Sequence, residues 1–340
     1  KFAMRVLGGL GREDAVPPLA GLMAVLWDHE LTIECGRALC NTRSTQAERA
    51  LCLAADRLGL GSVEWLAIAL EFGRLPEAKV RAELSTVVQL TAHANVLYLK
   101  GKIDAAIGDL NRALQIDPQS QVALLTRGNI MMEKNDLPAA MEDYDAAIAV
   151  DPNFSGALAN RGTARKRLGD NEGAIRDYTR AVEIDPKNSG THANLGYARI
   201  DAQDWETALA DFNHAIDVEP NNPAAYIGRA LAYAGLKEYE RALQDDTRAI
   251  DLDPRNAIAH NNRGIVYKNM NKPTEALDDY TRAIELAPGF ANAFSGRGNL
   301  LLARREYQAA VADFSRAIEL EPGNAVAFHN LGLAHAGLGE

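Results

Sequence analysis

Cysteine is scarce in this chain of 340 residues. Only Cys35, Cys40 and Cys52 occur, at unequal spacing and without a CxxC pair. Such a pattern indicates neither a disulfide framework nor a zinc site, so we expect buried thiols on helices. Nucleophile-elbow, phosphate-loop and HExxH patterns are missing as well. The sequence therefore predicts a protein that is not an enzyme and has no catalytic residue, metal site or cofactor.

Long hydrophobic runs are also missing. The longest uncharged apolar run, residues 15–27, is too short to span a bilayer and is interrupted by Pro17 and Pro18. The chain does not open with a signal-peptide pattern, which leaves the compartment open and favours the cytoplasm. Because the first residue is Lys1 and the last residue lies inside a repeat, we expect a piece of a longer protein.

Positive charge is in the minority. The chain has 36 Lys and Arg against 46 Asp and Glu, which gives a formal net charge of −10. Nearly all of the excess lies in residues 87–340, which carry 26 basic and 35 acidic side chains. An acidic surface repels phosphate backbones, so nucleic acid is not expected as the main partner.

What the chain has instead is a period of 34 residues. Prolines recur at this interval from Pro118 to Pro322. If position 1 is set 31 residues before each proline, seven full units and one partial unit follow. They begin at Val87, Gln121, Ser155, Ser189, Pro223, Ala257 and Ala291, with the partial unit from Ala325.

Small and large residues fall in fixed columns within these units. Positions 20 and 27 are alanine in every full unit, whereas position 24 is large and apolar in six of the seven. These columns have helical spacing, so each unit is predicted to be an antiparallel helix pair. The proline ends the second helix, and we expect the asparagines two residues later to cap the next first helix: Asn188, Asn222, Asn256 and Asn324.

This pattern resembles the tetratricopeptide repeat (TPR) family over residues 87–340. The resemblance implies an all-α, right-handed α-solenoid (superhelix) of stacked antiparallel helix pairs. It also implies that the first helices line a concave groove for a peptide or partner protein. The charge pattern of TPRs that clamp a free C-terminal carboxylate is incomplete, because Leu125, Gly190 and Asn194 stand where cations are needed.

Residues 1–86 carry a weaker repeat. The stretch "LGREDAVPPLAGLM" resembles a HEAT-like repeat, with two degraded copies further along. Divergent TPR hairpins are the alternative. Both interpretations predict a helical segment that continues into the first TPR without a linker.

Two columns of charge need an explanation. Position 23 is aspartate in all seven full units and position 7 is arginine in five, which predicts a ladder of ion pairs within or between units. Asp246 occupies the aromatic position 24 of the fifth unit. Because an unpaired buried carboxylate is costly, we expect it to face solvent or to pair with Arg229 or Arg263.

The predicted groove is rich in amides. An asparagine side chain can donate to and accept from the backbone of an extended peptide. In related TPR proteins of the O-GlcNAc transferase type, asparagine at position 6 contributes to peptide binding, which carries over to Asn160, Asn194, Asn262 and Asn330. The alternative is that these amides only bond neighbouring helices. The candidate binding residues are Asn95, Asn129, Asn160, Asn194, Asn262, Asn292, Asn299, Asn330, Tyr98, Tyr197, Lys166 and Lys268.

The sequence thus predicts a non-catalytic scaffold that binds a peptide segment or partner protein in a mostly neutral groove. One alternative is the recognition arm of a larger multidomain enzyme. The other is self-assembly, because open repeats at the two ends of the array would expose apolar faces to another copy of the chain.

Overall fold

The computed structural model describes residues 87–339, which form α-helices joined by short turns. The HEAT-like interpretation of residues 1–86 and the prediction for the three cysteines lie outside the described residues. The all-α fold of stacked antiparallel helix pairs is confirmed. Within the described part there are 15 helices. In chain order they are α1 Val87–Leu99, α2 Ile103–Ile116, α3 Gln121–Glu133, α4 Leu137–Val150, α5 Ser155–Arg167, α6 Asn171–Ile184, α7 Ser189–Asp201, α8 Trp205–Val218, α9 Pro223–Gly235, α10 Tyr239–Leu252, α11 Ala257–Asn269, α12 Pro273–Leu286, α13 Ala291–Ala303, α14 Tyr307–Leu320 and α15 Ala325–Leu338.

The described helices belong to two compact units, divided after Leu168. Helices α1–α5 lie in the first unit and α6–α15 in the second. Odd-numbered helices are the first helices of the repeats and even-numbered helices are the second. Within each unit, the first helices of successive repeats also contact each other directly.

The core of each unit is built from the predicted columns. All fourteen alanines at positions 20 and 27 are at most 2% exposed. The rings at position 24 fill the space beside them: Tyr144 in the first unit, and Tyr178, Phe212, Tyr280 and Phe314 in the second. Small side chains at the helix crossings let the backbones approach, and each ring supplies the apolar area that the alanines lack.

Local signals end and begin the helices as the sequence predicts. The side chains of Asn188, Asn222, Asn256 and Asn324 each accept a hydrogen bond from a backbone N–H in the first turn of the following helix. Each second helix ends two residues before its proline, because the residue that precedes a proline is driven to extended backbone. The predicted caps are confirmed.

The turn inside each repeat has a conformation that the sequence analysis missed. Position 15 adopts positive φ in all seven full units. Glycine fills this position twice and asparagine twice, whereas Gln203, Lys237 and Arg305 adopt the same left-handed backbone at φ 61°, 63° and 65°. These three residues carry a steric cost that glycine avoids.

The predicted ion-pair ladder is confirmed in four repeats. Arginine at position 7 donates two hydrogen bonds, from Nε and Nη2, to the aspartate at position 23 of its own repeat, at 2.5 to 2.9 Å. Its Nη1 donates to position 25 of the preceding repeat, as Arg127 does to Asn111 and Arg229 to Asn213, both at 2.7 Å. The ladder thus joins the two helices of one repeat and ties that repeat to the one before it.

The expectation for Asp246 was wrong. Its side chain neither faces solvent nor pairs with an arginine: it is 0% exposed, and both of its oxygens are without a hydrogen-bond partner among the described residues. The two arginines are committed elsewhere, since Arg229 binds Asp245 and Arg263 binds Asp279. A carboxylate therefore occupies, without compensation, a position where the sibling repeats place a hydrophobe.

Candidate functional site

The first-helix surface is the exposed side of the odd-numbered helices, formed by positions 2, 5, 6, 9 and 12. Each of the two units has its own part of this surface. The opposite side of these helices packs on the second helices through small residues such as Gly128, Gly196 and Gly298. In the first unit, the hydroxyl of Tyr144 passes between the helices and donates to Asn129 at 2.8 Å. The ring at position 24 therefore spans the distance from the core to this surface.

Some predicted asparagines bond to one another across neighbouring repeats. Asn160 Nδ2 donates to Asn129 Oδ1 at 2.6 Å, and Asn330 Nδ2 donates to Asn299 Oδ1 at 2.7 Å. In both pairs, position 6 of one repeat meets position 9 of the repeat before it. These four amides therefore have a structural role, and part of their hydrogen-bonding capacity is used inside the protein.

The other predicted residues are placed differently. Asn194, Asn292 and Lys268 are exposed, Asn95 and Lys166 are half-buried, and Asn262 is only 8% exposed. The exposed amides of Asn194 and Asn292 both lie in the second unit, at positions 6 and 2. They are the predicted asparagines that are best placed to meet the backbone of a ligand.

The two predicted tyrosines are half-buried and hydrogen-bonded. Tyr197 donates to the carbonyl of Ala224 at 2.9 Å and packs edge-on against Phe212, with ring centroids 5.1 Å apart. Burial raises the pKa of Tyr197 to about 12, and the negative charge of Asp246 adds to that effect. A hydrogen bond with Glu133 raises the pKa of Tyr98. Both hydroxyls are therefore protonated donors at neutral pH.

A cluster of buried polar groups on α10 and α11 was not recognised from the sequence. Asp246 on α10 and Asn261 and Asn262 on α11 are all buried, and Asn261 Nδ2 donates to Asn262 Oδ1 at 3.4 Å. Asn261 Oδ1 and Asn262 Nδ2 are buried and, within the described residues, have no hydrogen-bond partner. The signal was present in the sequence as the one acid in the position-24 column, but its burial could not be known.

The electrostatics of this cluster are unfavourable for a free carboxylate. Burial raises the pKa of Asp246 well above its usual value, Asp245 and Asp279 raise it further, and Arg263 acts in the opposite direction. By contrast, hydrogen bonds from Arg263 and His260 bring the pKa of Asp279 below its usual value. The cluster thus holds a carboxyl group whose charge the surrounding protein does not balance.

Two kinds of feature are absent from residues 87–339. No group of three or more histidine, cysteine, aspartate or glutamate side chains there is arranged to hold a metal ion. None of the described helices combines the length and the apolar character needed to cross a bilayer.

The repeats identify the class of protein. Profiles for the tetratricopeptide repeat match residues 257–290 and 194–257, and a TPR repeat profile matches residues 128–169, 162–201 and 298–339. Together these matches span more than half of the chain. The chain belongs to the tetratricopeptide repeat family, whose members typically mediate protein and peptide interactions. The matches begin at residue 128 and give no support to a HEAT-like segment.

Solved structures show the same fold. A tetratricopeptide repeat protein from Parabacteroides merdae is 23% identical, with a TM-score of 0.62, over 73% of this chain and 98% of that protein. The Cut9-Hcn1 hetero-tetramer of APC/C gives a TM-score of 0.60 at 16% identity, over 98% of this chain and 68% of the matched chain. A comparison with curated proteins gave no match.

Proposed function

We propose that this chain is a non-catalytic scaffold that binds a peptide segment of a partner protein on its first-helix surface. Membership of the tetratricopeptide repeat family supports the proposal, because such proteins typically bind proteins or peptides. The observation that carries it is the contrast between the two sides of the first helices. One side is an alanine and aromatic core, whereas the other presents amides and tyrosines on helices that pack into one layer within each unit.

The chemistry of this surface suits the backbone of a ligand. Asn194 and Asn292 present exposed amides that can donate and accept at once. Apolar side chains such as Ile258 and Ile265, 54% and 36% exposed, lie on the same first-helix layer of the second unit. Affinity would come from the apolar contacts, and the amides would fix the direction and register of an extended chain.

Selection from a random peptide library on the immobilised chain tests this proposal. Selected peptides should bind the wild type and lose about tenfold or more in affinity with Asn194→Ala and Asn292→Ala combined, because two ligand hydrogen bonds are lost. The matched control removes exposed amides from second helices, with Gln115→Ala and Gln244→Ala. Equal loss in both variants, or no binding by the wild type, would contradict the proposal. Light scattering of the free chain separates self-assembly from peptide binding.

A further inference from the structure

The buried carboxyl group of Asp246 has no role in the fold that its sibling positions do not fill better. Six repeats place leucine, tyrosine or phenylalanine at position 24, each at most 1% exposed. The fifth repeat places Asp246 there, 0% exposed and without a hydrogen-bond partner within the described residues. Because the same helix pair forms with a hydrophobe in six cases, stability does not account for the acid.

The neighbouring repeats show which position of the next repeat lies against position 24. In the stacking of repeats four and five, a Cβ atom added to Gly228 at position 6 would lie 2.1 Å from the ring of Phe212. In repeats six and seven, a Cβ atom added to Gly296 would lie 2.6 Å from the ring of Tyr280. Position 24 of one repeat therefore abuts position 6 of the next. In repeats five and six these two positions are held by Asp246 and Asn262.

Asp246 is smaller than the side chains that fill the equivalent position in the other repeats. Tyr144, the equivalent of Asp246 in the second repeat, reaches far enough for its hydroxyl to bond Asn129 on that surface. A carboxylate is shorter than a phenol by the whole ring, so it does not reach so far. By analogy with the glycines at position 6, Asn262 is the residue expected next to this shorter side chain, and its Nδ2 is also without a partner in the described part of the chain. Asn262 is 8% exposed, so entry of a ligand side chain would require its amide to rotate away.

The local charges select the kind of side chain that would enter. Arg263 is the cation that most affects Asp246, but its Nε and Nη2 are bonded to Asp279 at 2.7 and 2.8 Å. Asp245 and Asp279 act on Asp246 as negative charges but are themselves bonded to Arg229 and Arg263, and the Tyr197 hydroxyl donates to the carbonyl of Ala224. A cationic group would therefore meet carboxyl oxygens of Asp246 that no described donor occupies, and Asn261 Oδ1 on the adjoining helix is likewise without a partner among the described residues.

We propose that Asp246, Asn261 and Asn262 form a specificity pocket for a lysine or arginine side chain of the peptide that binds the first-helix surface. This inference rests on the proposed function, since it names a side chain that the same surface would recognise. Entry of the cation would satisfy the two carboxylate oxygens of Asp246 and the carbonyl oxygen of Asn261. The pocket would therefore recognise one side chain of the ligand, whereas Asn194 and Asn292 would bind the ligand's backbone.

Oriented peptide libraries test the pocket directly. The probes are short peptides with randomised flanks and a fixed central lysine, arginine, norleucine or glutamate, presented to the whole chain. Norleucine keeps the lysine stem without its charge. We expect the wild type to bind the lysine or arginine library about tenfold or more tightly than the norleucine library, the size of effect measured for a desolvated ion pair. Asp246→Asn should abolish this preference without changing the affinity for norleucine peptides.

Two further variants make the result specific. Asp251→Asn removes the same charge from an exposed position of α10 and should keep the preference, which separates the pocket from the general acidity of the chain. Asp246→Phe with Asn262→Gly recreates the pairing of Phe212 with Gly228, so this variant should fold stably and lose the preference. Equal affinity for lysine and norleucine libraries, or a preference that survives in Asp246→Asn, would overturn the pocket alone. Absence of binding by every library would overturn the proposed function as well.

Discussion

Arg263 donates from Nε and Nη2 to the carboxylate of Asp279, at 2.7 and 2.8 Å, and this bond decides the state of a different residue. Because the Arg263 guanidinium is bonded to Asp279, it does not bond to Asp246. Its positive charge still acts to lower the pKa of Asp246. An arrangement that joins the helices of four repeats thus leaves one buried carboxyl group without a partner.

The ladder should contribute much more to stability than the other ion pairs of the second unit. Arg229→Ala leaves Asp245 buried and unpaired, so we expect a loss of about 3 kcal/mol in the free energy of unfolding, measured by urea titration. Arg282→Ala is the matched control, since it breaks an exposed pair with Glu285 and should cost less than about 1 kcal/mol. Equal losses in the two variants would show that a ladder pair stabilises the fold no more than an exposed ion pair does.

Glycines on the first helices should respond to a methyl group according to what they face. Gly228→Ala would place Cβ 2.1 Å from Cε1 and 2.4 Å from Cζ of Phe212, so overpacking should cost about 1 to 3 kcal/mol. Gly332→Ala in α15 meets no described atom within 4 Å and should gain about 0.5 to 1 kcal/mol from helix propensity alone. Thermal unfolding of both variants measures the contrast. Stabilisation by Gly228→Ala would refute the packing described for position 6.

The left-handed turns offer a substitution that should stabilise the chain. Lys237 adopts φ 63° between α9 and α10, so Lys237→Gly should raise the free energy of unfolding by about 1 kcal/mol. Gln244→Gly, at an exposed position inside α10, should lower it by a similar amount. The sign of the difference between these two glycine variants, measured by urea titration, checks the turn conformation.

Asp211 gives a dependence of stability on pH. Burial raises its pKa to about 6, while Arg199, at 2.6 Å, acts in the opposite direction. Between about pH 4 and 6 the folded state binds a proton that the unfolded state has lost, so stability falls as pH rises through this window. Two pKa units correspond to about 3 kcal/mol, which Asp211→Asn should remove from the pH profile. An unchanged profile in that variant, with exposed Asp251→Asn as control, would contradict the assignment.

Much of the fold could be predicted because the same residue pattern recurs from repeat to repeat. The alanine columns, the asparagine caps and the ladder depend on local spacing, and spacing is visible in the sequence. Pairing of Asp246 with Arg229 or Arg263 was a wrong prediction. The sequence left open whether the ladder pairs lie within or between repeats, and the structure assigns those arginines to Asp245 and Asp279.

Other details of the packing could not be decided from the sequence, for physical reasons. The bond between Asn160 and Asn129 joins residues from successive repeats, so it depends on how the repeats stack and not on their local pattern. The left-handed turn at position 15 was hidden because lysine and arginine occupy it as well as glycine and asparagine. Which amides remain exposed for a ligand is likewise a property of the packed surface.

Photo-crosslinking shows which surface a bound peptide touches. It therefore distinguishes a binding site on the first helices from one on the second helices. Benzoylphenylalanine would replace Asn292, exposed on the first helix α13, or Gln244, exposed on the second helix α10. A peptide selected on the wild-type chain should be crosslinked from position 292 and not from position 244, and excess unlabelled peptide should prevent the crosslink. Crosslinking from position 244, with none from position 292, would place the ligand on the second helices and contradict a first-helix binding surface.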